Sequence, residues 1–552
     1  MTLSSLTSIM LSASSGMRAA QVGLDIVSRN VSNASTDGYT RKSVNLESRI
    51  VGFQGQGVMT GEVERQVNKS LQREIRRGQS IGESLRAREE FLGRLELAFG
   101  SPGDGGSIAS QLGDLGNAFR SLVSQPDSGT HQQSTLAAAR SYSDSVKGLS
   151  TTIQGLRLDA DQTIAVTVTT INSTLQQIDD LNRLIVQAKG LGQSTADLED
   201  KRDLQLGVLS KNIDVTTFER NTGEVWILTA AGRQLLDGTP TQLSFNQSST
   251  MNPSMSYANG TIGGVEIGGT DITAEIHGGR LRGLFDVRDG LMDNAQTQLD
   301  ELSARVAQNF ALADLDLYDY AATETVITGN TTTAAASAAA TSFDVTSVAG
   351  LSTGMLLRFA NYGATYTITG IAGLTVSIQP STGGSIGLDA DVPSGTKMIF
   401  AAAPSAASVG FSSRMAVNPD VETAPWRMRD GTSVASISTV SQDNTVPRAI
   451  VDAFERVQSF SAAAGLGPGA TLTGYAGALI ATQAGQRAVA SDSLQSQDAL
   501  TGQIENRFKS DSGVNVDREL ALMIEIQNSY ASSARVLQAV RDMFDELMRT
   551  AG

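Results

Sequence analysis

His131 and His277 are the only histidines in the chain, and there is no cysteine. A zinc centre needs several such ligands at short spacing, and acyl or phosphoryl chemistry needs a nucleophile, a base and an oxyanion site brought together. Each histidine stands in a turn-like context with no partner motif, and no nucleophile–base pair can be picked out. The chain therefore reads as a non-enzyme with no catalytic residues, no metal site and no cofactor. The missing cysteines also exclude disulfides and thiolate nucleophiles. Asp314-Leu315-Asp316 and Asp389-Ala390-Asp391 carry some flavour of a calcium loop but lack its ligand spacing, and are expected in solvated loops or helix ends. Gly465-Leu466-Gly467-Pro468-Gly469 is no phosphate loop: no strand precedes it, no Gly-Lys-Ser/Thr follows, and Pro468 removes a donor. Trp226 and Trp426 are expected as core anchors.

What the chain does offer is apolar periodicity at its two ends. Leu3, Leu6, Met10, Ala13, Met17, Ala20, Leu24, Val27 and Val31 recur at alternating spacings of three and four, an unbroken heptad stripe. Leu520, Met523, Tyr530, Ala534, Leu537, Phe544 and Met548 lie on a similar grid, with Gln527 and Arg541 filling its gaps. Beside it runs a second stripe: Leu522, Ile526, Val536, Val540, Met543 and Leu547. A helix apolar on two adjacent faces needs more than one neighbour to cover it, so an assembly subunit is expected.

Composition sets the outer limits. A chain of 552 residues should hold several domains. A formal net charge of -15 argues against a surface that tracks nucleic-acid phosphates. With 40% hydrophobic and only 18% charged residues, wholesale disorder is not expected. No stretch approaches the roughly 20 apolar residues of a membrane span. The first basic residue, Arg18, follows the apolar positions instead of preceding them, so the N-terminus does not read as a cleaved secretory signal.

The expected fold is multi-domain α+β: a terminal coiled coil and a helical rod formed by N- and C-terminal segments, with β-rich insertions. Residues 1–33 form the N-terminal coiled-coil helix, which pairs with 515–552. The first part of the rod covers 34–214, and a β-rich domain covers 215–280, where alternation and turns such as Asp237-Gly238 and Asn259-Gly260 replace the helical rhythm. Helix returns over 281–321. An Ala/Thr/Gly/Ser-rich stretch, 322–440, reads as an inserted outer β domain, and 441–514 completes the rod.

Two stretches resemble a known family. Asn30-Val31-Ser32-Asn33-Ala34-Ser35-Thr36-Asp37-Gly38-Tyr39-Thr40-Arg41 resembles the N-terminal signature of bacterial flagellar axial proteins (rod, hook and hook-associated). Its Gly-Tyr-Thr-Arg ending is most similar to the hook-associated members at the hook–filament junction. Gly55-Gln56-Gly57-Val58, then 63–73, is similar to that family's strand entering a long helix. At the far end Ser512 to Leu520, then Ala534-Arg535-Val536 and Met543-Phe544, resembles its C-terminal helix. Asp197 to Asp203 and Gly278 to Leu284 add two internal islands; 322–440 carries no resemblance.

The resemblance implies a structural, non-enzymatic junction subunit that assembles on the hook tip and seats the next junction protein and filament. The nearest alternative is a hook or distal rod subunit, and a more distant one a secreted surface adhesin. It implies localisation to the extracellular flagellum after type III export from the cytoplasm without a cleaved signal. The implied partners are hook protein, a second junction protein (hook-associated protein 3) or filament, a cytoplasmic export chaperone on the C-terminal helix, and further copies in a ring. No nucleic acid and no membrane insertion are expected. Terminal helices of this family line the tube and order on assembly; thirty helical residues span about 45 Å. The assembly interface is accordingly expected at Leu3, Leu6, Met10, Met17, Leu24 and Val27, with Leu520, Met523, Tyr530, Leu537 and Phe544 as C-terminal partners. Asn30, Asn33, Gly38, Tyr39 and Arg41 complete the expected assembly interface, and the turn residues Asn30, Asn33 and Gly38 are expected to set the angle between tube wall and outer domain.

Overall fold

The computed structural model describes residues 3–51, 54–101, 103–318, 327–349, 351–359, 365–380, 388, 391–401, 409–461, 464–467 and 469–551. The architecture is mixed α+β, in three parts. The first is a leg made from both ends of the chain. Helix α1 (Leu3–Ser32) leads through the turn 33–41 into an antiparallel hairpin, β1 (Lys42–Val51) and β2 (Gln54–Arg65), in which Lys42 faces Arg65 and Val44 faces Val63.

Asn68 then caps α2 (Lys69–Phe99), its side chain accepting from the Ser70 and Leu71 amides. Helices α3 (Ile108–Ser124), α4 (Gly129–Gly190) and α5 (Ala196–Asn212) follow. Two small antiparallel sheets come next: β3 (Val215–Glu219), β4 (Val225–Thr229) and β5 (Gln234–Leu236), then β6 (Leu243–Phe245), β7 (Val265–Ile267) and β8 (Thr270–Asp271). Helix α6 (Gly279–Asp286) continues through one π-helical turn into α7 (Met292–Leu312).

These elements share one core. Along its 62 residues α4 buries Leu136, Ala139, Val146, Ile153, Ile164, Ile171, Ile178 and Ile185, a three/four rhythm that defines a single inward face. Helix α7 is buried on nearly every side, so its polar residues need internal partners. Gln298 donates to the Ala464 carbonyl, Asn309 to Gln458, and Asp300 accepts from the Gly410 and Ser412 amides. Burial holds the Asp300 carboxyl above its ordinary range, despite those hydrogen bonds.

After Tyr318 the chain leaves this core. A six-stranded antiparallel sheet contains β9 (Ile327–Thr331), β10 (Ser342–Asp344), β11 (Leu356–Phe359), β12 (Thr365–Ala372), β13 (Thr375–Pro380) and β14 (Lys397–Ala401), ordered β10-β13-β12-β11-β14-β9. It has a core of its own, with Phe343, Phe359 and Tyr366 in edge-on ring contact around Val376, Ile378 and Met398. The inserted unit was expected to run to 440, yet its last strand ends at Ala401. Helices α8 (Phe411–Arg414), α9 (Pro419–Thr423) and α10 (Arg427–Asp430) return Phe411, Met415, Val421 and Met428 to the main core. Tyr318 bridges Val417 at the neck of the insertion, where the Asn418 amide donates to Leu317. The same small-residue texture covers both stretches, so nothing local marks which core each joins.

Helix α11 (Thr445–Glu455), the short pair β15 (Gln458–Ser459) and β16 (Gly469–Ala470), and α12 (Leu472–Ser512) complete the body. Helix α12 runs antiparallel to α2, with Arg487 against Glu96 and Gln79 against Glu505. Asn515 caps α13 (Val516–Ala551), accepting from the Arg518 amide, and α13 returns along α1.

The two tryptophans sit differently from expectation. Trp226 and Trp426 are half-buried, not core: Trp226 points to the outer side of β4, between Phe218 and Arg220, while Val225 and Ile227 face inward. Strand parity decides that, because neighbouring residues face opposite ways. Asp314 ends α7 and accepts from Ser433 through its carboxylate and from the Thr432 amide through its carbonyl, so it pins a loop. Asp389 and Ala390 lie outside the described residues.

Candidate assembly interface

Where the two chain ends meet the body, a buried polar knot replaces apolar packing. Asn30 is fully buried and uses every hydrogen-bonding position it has. Its Nδ2 donates to the Lys42 carbonyl and to Glu519 Oε2, both at 2.9 Å. Its Oδ1 accepts from the Tyr39 hydroxyl at 3.0 Å and the Lys42 amide at 3.1 Å. One amide thus joins α1, the turn, the hairpin and α13. Glu519 is equally buried; its other oxygen accepts from Arg41 Nε at 2.6 Å. The Arg41 amide in turn donates to the Ser512 carbonyl at the end of α12.

A second set of charges anchors the hairpin to α5. Asp200 accepts from Thr40 Oγ1 at 2.6 Å, from Lys42 Nζ at 2.9 Å and from Arg65 Nη1 at 2.9 Å. Arg65 also reaches Glu199 and Asp203, and Lys42 reaches Asp197. Four acids on one short helix would suit a cation, but here Lys42 and Arg65 fill that place. Burial pulls the Lys42 ammonium down, yet its hydrogen bonds to Asp197 and Asp200 outweigh burial and hold it above its ordinary value. Arg65 is likewise held up by Asp203 and Asp200 against burial. Burial pushes Glu199 up, and Thr195, Arg65 and Arg202 together bring it below the ordinary carboxylate range. Lys42 Nζ also lies 3.6 Å from the centre of the Tyr39 ring, a cation–π contact.

The turn is shaped by sterics as well as charge. Gly38 has φ +74°, and a Cβ there would sit 2.5 Å from the Leu204 side chain, so only glycine fits. Asn33 closes the end of α1, donating from Nδ2 to the Arg29 carbonyl while its Oδ1 accepts from Thr36.

Above the knot, α1 and α13 approach through small residues. Gly23 faces Ile526 and Gly16 faces Ser533; Cβ atoms built on them would meet those side chains at 3.1 Å. Counting the heptads from Asn30–Glu519 places Gly16, Gly23 and Asn30 in one column against Ser533, Ile526 and Glu519. Leu6, Ala13, Ala20 and Val27 are buried beside it. The rest of the expected N-terminal stripe lies to one side: Met17 and Leu24 are half-buried, and Met10 is exposed. The side chain of Leu3 lies outside the described residues.

On α13 the column against α1 belongs to the second sequence stripe, with Ile526 and the buried Val540. The first stripe is displaced to the flank. Met523, Tyr530 and Leu537 are half-buried, while Leu520 and Phe544 are exposed. Between α1, α13 and the hairpin lies a groove of about 370 Å³, floored by Gly16, Ala19, Ala20 and Gly23 and walled by Val44, Leu46 and Leu522.

The residues that sequence reasoning missed are the charged ones. Lys42, Arg65, Asp200 and Glu519 hold the knot together, and nothing in their local spacing sets them apart from solvated surface charges. Their nearest signals were the resemblance of 197–203 and the position of Glu519 in the first turn of α13.

The chain is similar to known flagellar proteins. Residues 92–315 match the model described as "Flagellar hook-associated protein FlgK helical domain". Residues 10–40 match "Flagella basal body rod protein", and 507–550 match "Flagellar basal body rod FlgEFG protein C-terminal". The chain is 26% identical over 575 residues to flagellar hook-associated protein 1 of Escherichia coli, covering 98% of this chain and 100% of that one. It is 24% identical to the Salmonella typhimurium protein of the same name at the same coverage. A solved flagellar hook junction protein from Burkholderia pseudomallei aligns with 79% of this chain and 100% of its own, at 15% identity and a TM-score of 0.46.

Proposed function

We propose that the chain is a member of the flagellar hook-associated protein 1 family and a structural subunit of the hook–filament junction, which assembles on the hook tip and seats the next junction protein or the filament above it. The observation that carries this is the joining of the chain ends. Helices α1 and α13 lie nearly 500 residues apart in sequence, yet the Asn30–Glu519 contact fixes them side by side with apolar columns left on their flanks. A leg of this kind is half of an interface.

The mechanism is mechanical, not catalytic. The legs pack beside those of neighbouring axial subunits in a ring and meet the hook tip below, while the body and its insertion present an upper and outer surface. Repeated head-to-tail contacts of this sort are heterologous. Export from the cytoplasm with a chaperone on α13 fits the exposed Leu520, Ile524, Val536, Met543 and Met548 of that helix. Among the described residues no helix is long and apolar enough to cross a membrane.

The test is electron microscopy of cells carrying a gold-detectable epitope at the exposed turn Gly373-Leu374. One narrow band between hook and filament is expected. Label spread along the hook would make this a hook or rod subunit, and label away from flagella would overturn the assignment.

A further inference from the structure

The helix pairing on the leg is not the one that would bury most apolar surface. Both helices offer larger side chains one heptad position away: Met10, Met17 and Leu24 on α1, and Met523, Tyr530, Leu537 and Phe544 on α13. Those columns are half-buried or exposed, while Gly16, Gly23, Ala13, Ala20 and Ser533 take up much of the contact, with Leu6, Val27, Ile526 and Val540 as its larger members. Hydrophobicity alone would turn α1 by about 100°, the angle between successive residues such as Gly16 and Met17, and α13 by about 60°, the angle between Ile526 and Met523, to bring the larger columns together. At the body end the contact column finishes in Asn30 and Glu519, both fully buried, with all four side-chain positions of Asn30 used and each Glu519 oxygen accepting a hydrogen bond. Turning either helix would leave a charge or an amide buried without its partners.

We infer that the Asn30–Glu519 pair is a rotational lock, which holds α1 and α13 on their small-residue faces and so withholds the large apolar columns from each other for contact with neighbouring subunits. A buried polar pair is a poor source of stability, and its best-attested role is to select one helix setting over others. Asn30 and Glu519 are positioning residues here: they need touch no partner molecule. That the freed columns serve neighbouring subunits rests on the junction assignment above; the lock itself does not.

The cysteine-free chain allows a direct test. A Cβ on Gly16 would lie 3.9 Å from Ser533 Cβ, within bridging range, so a Gly16→Cys/Ser533→Cys chain should close readily. A Met17→Cys/Tyr530→Cys chain reports the rotated setting. In the purified full-length protein the first pair should oxidise roughly tenfold faster or more than the second, because thiols out of range need backbone movement. With Asn30→Leu and Glu519→Leu added, that preference should fall or invert, and the variant should form fewer junctions in cells. Glu519→Gln, which keeps an acceptor for Arg41 or Asn30, should retain the original preference. An unchanged preference in the double-leucine chain, or none in the parent, would overturn the lock. A shifted preference with normal junction assembly would keep the lock and refute the use of the columns by neighbours.

Discussion

Asp200→Ala is the sharpest probe of how the leg is fastened to the body. The carboxylate accepts from Thr40 Oγ1, Lys42 Nζ and Arg65 Nη1, and its side chain is only 7% exposed. Removing one partner from a buried ion pair costs about 3–5 kcal/mol, because the remaining charge stays buried. Lys42 would keep one carboxylate, Asp197, which is 63% exposed and well screened, besides the Tyr39 ring, whereas Arg65 would keep Glu199 and Asp203. The lower end, about 3 kcal/mol, is therefore expected, or roughly a hundredfold rise in local opening of the hairpin attachment. Hydrogen exchange read by mass spectrometry should show that acceleration in peptides from 39–48 and 58–66, and little change in α4. Less than about a threefold change in the hairpin would refute the anchoring role, since that is worth under 1 kcal/mol. Equal acceleration throughout would mean that Asp200 supports the whole body instead.

Three further outcomes follow from the same geometry. The lowered Glu199 stabilises the fold above its ordinary value of 4.5 and loses that effect as pH falls through its folded value. The raised Lys42 stabilises below its ordinary value of 10.5 and fades as pH rises through its folded value. Hairpin protection should therefore be greatest between those limits, and a flat profile from about pH 3 to about pH 11 would contradict the paired charges. Gly38→Ala should cost about 1–3 kcal/mol from its backbone conformation alone and should impair junction assembly, checked by thermal unfolding and motility; a silent substitution would refute the strain assigned to this turn. Phe343→Ala should remove about 3–5 kcal/mol from the inserted sheet only, so calorimetry should show one transition falling while that of the body stays. A single transition that shifts as a whole would refute an independently folding insertion.

Much of the helical body was legible because its signals are local. The rhythm of Ile153 to Ile185 in α4, the Asn515 cap of α13 and the change to alternation near Val215 each depend on residues within a few positions of one another. The second insertion was legible as β texture but not in extent. Its return to the main core at Phe411 depends on contacts with residues more than a hundred positions earlier, such as Asp300.

At the leg, the sequence alone determined that both ends would be helices with more apolar surface than one partner can cover, and that a turn would follow Asn30. Periodicity specifies a face to within one heptad position, and several faces of α1 and α13 are apolar enough to serve. Which face is used was decided only in three dimensions, where Asn30 meets Glu519 across 489 positions and Lys42 meets Asp200 across 158. Buried charges look like surface charges until their partners are known, because desolvation and pairing are properties of the folded neighbourhood and not of the residue.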